Sequence, residues 1–109
     1  MKSLIQYRVG GPEVLELVDL PKPVRNFTEV LVRVHAASIN PVDLSVRSGA
    51  FPLLGEVPFV PGWDVSGVVE EVDIGSTRFK VGDEVFGMPL FPRAANAYAE
   101  YVAAPSRHF

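Results

Sequence analysis

Proline and glycine interrupt this chain so often that long helices have little room. Ten Pro and nine Gly fall among 109 residues. Proline lacks an amide hydrogen and restricts the residue before it, and glycine marks turns and close backbone approaches. Short, Val-rich alternating segments stand between the interruptions. Such strands with regular turn signals predict a mainly β sandwich or barrel with few short helices. The length fits one domain with one real core and excludes a complete two-domain enzyme.

The alternation places the elements. Residues 3–8 and Val14–Val18 form a first hairpin around the turn Gly10-Gly11-Pro12. Pro21 and Pro23 enforce an extended link. Glu29–Ala36 is the clearest strand, with Val30, Val32, Val34 and Ala36 on one face and Leu31, Arg33 and His35 on the other. Asn40 as N-cap, Pro41 at the first helical position and Gly49 past the end predict a short helix through about Arg47. Residues 50–62 read as loop. Val65–Val72 is a strand whose Gly67 admits close backbone approach. Glu84–Met88 follows the turn at Gly82-Asp83, and Tyr98–Ala103 is the last strand.

Charge and composition narrow the function. The net charge is −3, about +1 over residues 1–50 and −4 over residues 51–109, with no basic patch to neutralise phosphates. Nucleic acid is therefore not an expected partner. The chain has no Cys and only two His, which removes disulfides, thiolate chemistry and Cys-ligated zinc. No run approaches a membrane span, and the N-terminus has no signal-peptide pattern, so a cytoplasmic protein is expected. The nine glycines form neither G-x-G-x-x-G nor a P-loop, so no dinucleotide fingerprint is present.

Several linked motifs stand in order along nearly the whole chain. They are Glu29-Val30-Leu31-Val32-Arg33-Val34, Ser38-Ile39-Asn40-Pro41-Val42-Asp43, Arg47-Ser48-Gly49, Pro61-Gly62-Trp63-Asp64-Val65-Ser66-Gly67, and Phe79-Lys80-Val81-Gly82-Asp83-Glu84-Val85-Phe86-Gly87. Together they resemble the zinc-independent quinone oxidoreductases of the medium-chain dehydrogenase/reductase superfamily. The resemblance implies a GroES-like catalytic domain over residues 1–109: a partly open β-barrel with a few short helices. In that family a Rossmann domain binding NADPH follows, and the chain then returns to complete the catalytic domain. The expectation is thus an N-terminal catalytic segment whose Rossmann cofactor domain is absent, a segment inactive alone. Apolar surface meant for the missing portion then predicts self-association into a homo-oligomer.

The same resemblance supplies site residues. Where zinc-dependent relatives carry a Cys ligand this chain has Asn40, and where they carry a His ligand it has Trp63. A carboxamide and an indole make no stable zinc site, and the relatives' proton-relay hydroxyl falls on Val42, so no metal is expected. Hydride transfer to a quinone or an enone needs no Lewis acid, because hydrogen bonds to the developing oxyanion can suffice. Asn40 is the leading catalytic and cofactor-binding candidate, against a plain N-cap role. Asp43 is a second cofactor-binding candidate, against an ion pair with Arg47 four residues on. Trp63 reads equally as a catalytic and substrate wall or as core. Ser45 and Phe51 stand where the family often has Tyr and are substrate-binding candidates. Asp64 is expected to orient nearby backbone, and His35 to be a solvated strand residue. Phe86, Phe91, Tyr98 and Tyr101 are expected in core and edge packing. The competing reading is a stand-alone GroES-like binding or structural module without turnover. A ring-forming chaperonin cofactor shares the fold only.

Overall fold

A computed structural model describes residues 1–109. It contains six strands, one α-helix and two single-turn 3-10 segments: β1 (Lys2–Gln6), β2 (Leu15–Asp19), β3 (Glu29–Ala37), α1 (Pro41–Ser48), β4 (Val65–Glu71), β5 (Glu84–Gly87) and β6 (Tyr101–Pro105). The mainly β, partly open GroES-like architecture is as expected. β1 and β2 form an antiparallel hairpin, and the other four strands form a sheet in the order β5-β4-β3-β6.

β3 organises the domain because it pairs with both β4 and β6. Its alternation is imperfect. Val30 and Val32 are buried, but so is Leu31 on the opposite face, and irregularities fall between Leu31/Val32 and Val34/Ala36. A central strand is covered on both faces at one end and emerges into solvent at the other, where Arg33 and His35 are exposed. Gly67 lies opposite Val34, and a Cβ there would sit 2.2 Å from the Arg33 carbonyl oxygen. The expected close backbone approach is real.

The last strand begins later than alternation suggested, at Tyr101 instead of Tyr98. Residues 98–100 serve β1 instead. Leu4 N–H donates to the Tyr98 carbonyl and Glu100 N–H to the Lys2 carbonyl, which ties the hairpin to the larger sheet. Gln6, fully buried, donates its side-chain amide to the carbonyls of Arg8 and Arg47 and so fixes the end of α1 against β1.

The apolar groups lie in patches along the sheet. Val30, Val32, Val69 and Val85 form one, with Phe79 and Phe109 packed against them, and Val65, Ala97, Val102 and Ala104 form another. Val46 of α1, Trp63 and Ala95 form a third, which seats the helix. No helix is long and apolar enough to cross a membrane.

Candidate functional site

The helix start is built as its sequence requires. Asn40 is extended (φ −113°, ψ 161°), Pro41 occupies the first turn, and Gly49 closes the far end in the left-handed region at φ 86°. The Asp43 carboxylate reaches back one turn, and its Oδ2 accepts the Asn40 N–H at 2.8 Å. The first helical turn therefore satisfies one of its own orphan donors.

Antiparallel pairing then delivers a second carboxylate. Ala37 pairs with Val65, so the residues just beyond, Ser38 and Asp64, meet where the two strands separate. Asp64 Oδ2 accepts the Ser38 hydroxyl at 2.7 Å and the Asn40 Nδ2 amide at 2.8 Å. Asp64 thus holds two side chains. The sequence assigned it only the orientation of backbone, and the ladder's end geometry explains the difference. Asp64 also lines an open cavity with Ser38, Ser66, Phe86 and Met88. An adjoining cavity, which shares Ser66 and Phe86, includes His35 and Glu84.

Asp43 faces elsewhere. It is 2% exposed and lines a small apolar cavity with Ile39, Leu44, Arg47, Pro61 and Tyr98. Burial pushes its carboxyl above the ordinary value. The Asn40 N–H and the Tyr98 phenol oppose that rise, and Asp64 adds to it. The phenol approaches without closing a hydrogen bond, so Asp43 Oδ1 stays unpartnered. Burial, helped by the Asp43 charge, raises the Tyr98 phenol to about 12. No Asp43–Arg47 ion pair forms. Arg47 Nε donates to the Gly10 carbonyl at 3.2 Å instead, because Asp43 is turned inward.

Trp63 is 1% exposed, its Nε1 donates to the Arg93 carbonyl at 2.7 Å, and its ring meets Phe91 edge-on at 5.2 Å. Of its two readings the structure places it in the core, so Trp63 is not an exposed wall. A lone Trp beside a loop carries no signal that distinguishes the two. Ser45 and Phe51 adjoin at the C-terminal end of α1, where Phe51 N–H donates to the Ser45 carbonyl at 3.1 Å and the Phe51 ring is half exposed. Among the residues expected in packing roles, Phe86 is a correction: it is 80% exposed, because alternation along β5 turns it to the face opposite the buried Val85.

The structure therefore joins Asn40 to both carboxylates but points these into different cavities. Ser38, Ser66, Phe86 and Met88 were not singled out by the sequence as site residues. Extending the pairing of the two clearest strands by one residue would have brought 38 against 64. The site combines the accepting Asp64 carboxylate with a carboxamide and a hydroxyl that donate to it, and an aromatic ring and a thioether line the same cavity. That combination suits a flat, amide-bearing ring such as nicotinamide, and it offers no cationic group for a phosphate. No cluster of three His, Cys, Asp or Glu side chains that would hold a metal is present.

Residues 26–109 match the model of the alcohol dehydrogenase GroES-like domain family. The chain is 39% identical over 102 residues to a quinone oxidoreductase of Rattus norvegicus, covering 93% of this chain and 30% of the rat protein. Among solved structures, the quinone oxidoreductase of Coxiella burnetii superposes with a TM-score of 0.88 at 38% identity, covering 96% of this chain and 34% of that one. The Escherichia coli quinone oxidoreductase complexed with NADPH superposes with a TM-score of 0.86 at 28% identity, covering 99% and 32%. The chain spans about 30% of the length of these curated relatives.

Proposed function

The chain belongs to the alcohol dehydrogenase GroES-like domain family, and on that premise we propose that it is the catalytic-domain segment of a zinc-free, NADPH-dependent quinone or enone oxidoreductase. The observation that carries this reading is the Asn40 carboxamide, held at a helix start and against Asp64 beside an open cavity. NADPH supplies a hydride when bound; this chain holds the nicotinamide end and orients the acceptor.

Asn40 presents its carboxamide to the cofactor. Asp43 acts through Asn40, since its carboxylate fixes the Asn40 backbone from the buried side. Ser45 and the half-exposed Phe51 line the acceptor's approach, and Trp63 supports Phe91 from behind without touching the acceptor. The adenosine and phosphates belong on a Rossmann-type domain, because this chain has neither a phosphate-binding glycine loop nor cations at the site. Exposed Val24, Phe27, Ile74 and Phe86 supply the apolar surface for that docking and for self-association. The same reading places the protein in the cytoplasm, where NADPH is available and a Cys-free chain needs no oxidising compartment.

The test joins the chain to a Rossmann-type cofactor domain and follows NADPH oxidation with benzoquinone and with methyl vinyl ketone. Turnover by the joined protein, none by the chain alone, and a loss of at least about tenfold in Asn40→Ala are expected, the last being the scale of removing one positioned hydrogen bond. A joined protein that binds NADPH but reduces neither acceptor points to a binding module without turnover.

A further inference from the structure

Asp64 has no part yet in the chemistry, but its surroundings are unusual. One oxygen accepts two side-chain donors, Ser38 Oγ at 2.7 Å and Asn40 Nδ2 at 2.8 Å. None of the chain's six ion pairs includes it. It lines an open cavity beside Ser66, Phe86 and Met88, and the other carboxylate nearby, Asp43, adds negative charge and no compensation.

An asparagine side chain has a donating and an accepting end, and nothing intrinsic decides which faces a ligand. Two neighbours decide it here: Asp64, a carboxylate that can only accept, takes Nδ2, and the capping box at the helix start engages the accepting end. The carboxamide oxygen is thereby turned away from Asp64. An uncompensated negative charge also favours a cation over a neutral molecule of the same shape. The nicotinamide ring is neutral when reduced and cationic when oxidised.

We propose that Asp64 is the positioning residue of this site: it pins the Asn40 carboxamide, and its unpaired charge makes the site favour a cationic ring over a neutral one. This rests on the reading that the nicotinamide end of a cofactor lies beside Asn40. Hydride loss makes the ring cationic, so the preference aids the direction in which a reductase runs. Asp64 touches Asn40, not the reacting atoms.

Two measurements on the 15N-labelled chain test it. In the spectrum of the Asn40 side-chain amide, Asp64→Ala should shift the pair of resonances to that of a carboxamide whose Nδ2 faces water. Asp64→Asn, which keeps an accepting oxygen, should largely preserve it. An unchanged Asn40 pair in Asp64→Ala overturns the proposal. The second measurement compares the dissociation constants of oxidised and reduced nicotinamide mononucleotide. Asp64→Asn should shift their ratio against the oxidised form by roughly three- to tenfold, the scale of one partly screened charge at a few ångströms. An unshifted ratio also overturns it. Asn40→Ala separates the two ideas. If the wild-type chain binds neither form, or Asn40→Ala binds both as tightly as wild type, the nicotinamide reading fails, and the Asn40 resonances alone decide whether Asp64 pins the carboxamide.

Discussion

Replacing Gly67 by Ala should cripple the sheet that delivers Asp64 to Asn40. The added Cβ would lie 2.2 Å from the Arg33 carbonyl oxygen and 2.9 Å from Val32 Cγ1. A side chain would move aside at modest cost, but this carbonyl belongs to the central strand. Arg33 is paired with Val68 on one side and Tyr101 on the other, so it has nowhere to go. Overpacking in a well-packed interior costs about 1–3 kcal/mol, and a backbone obstacle belongs at the upper end. Loss of one ladder hydrogen bond adds about 1 kcal/mol. A total of about 3–4 kcal/mol is a large share of a small domain's stability. It corresponds to a fall in Tm on the order of 15–20 °C. Gly75→Ala is the control: Gly75 is left-handed at φ 81° with nothing within 4 Å of a Cβ, so only the backbone penalty of about 1–2 kcal/mol applies. Urea unfolding of both variants, with thermal melts alongside, makes the comparison. If Gly67→Ala loses no more than Gly75→Ala, β3 and β4 do not approach as described.

Other substitutions probe the core, the loops and the buried carboxyl. Trp63→Phe removes the hydrogen bond to the Arg93 carbonyl and leaves a void, which should cost about 2–3 kcal/mol in urea unfolding while mononucleotide affinity stays within about twofold; a large affinity loss at unchanged stability would return Trp63 to the site wall. Asp73→Ala strips Arg25 of the closer of its two carboxylate partners, leaving Glu71 at 4.0 Å, and the left-handed Thr28 (φ 69°) of the acceptor for its N–H, and should destabilise by about 1–3 kcal/mol, against an expectation of no effect if these contacts are solvated. Burial raises the Asp43 carboxyl, so the folded state holds its proton to higher pH than the unfolded chain. This group's favourable contribution is therefore fully present below the unfolded value and is lost as pH rises through the raised folded value. Asp43→Asn should consequently gain stability relative to wild type as pH rises through that window, measured by melts across acidic to neutral pH, and a constant difference would contradict the buried placement.

Local chemistry made much of the fold legible. Asn40-Pro41 and Gly49 bracket the helix because capping and left-handed termination need those residues, and Gly67 reads correctly because only the absence of a side chain permits the approach. The alternation at 29–37 marks the central strand, although its bulges and the burial of Leu31 depend on neighbours on both faces. What stayed hidden is relational. Residues 98–100 alternate like a strand but are claimed by β1. Asp43 and Arg47 have the spacing of an ion pair, yet burial turns one inward and the Gly10 carbonyl takes the other. Trp63 looks alike in core or cleft, and Asp64 gains its partners only when two strand ends meet.

The most direct measurement is a titration of the 15N-labelled chain with reduced nicotinamide mononucleotide, followed at every backbone amide. Saturable shifts concentrated at residues 38–40, 64–66 and 86–88, and lost in Asn40→Ala, are the expected result. Saturable shifts confined to the Asp43–Tyr98 cavity, or none at any concentration, would contradict the assignment of the nicotinamide end to Asn40 and Asp64.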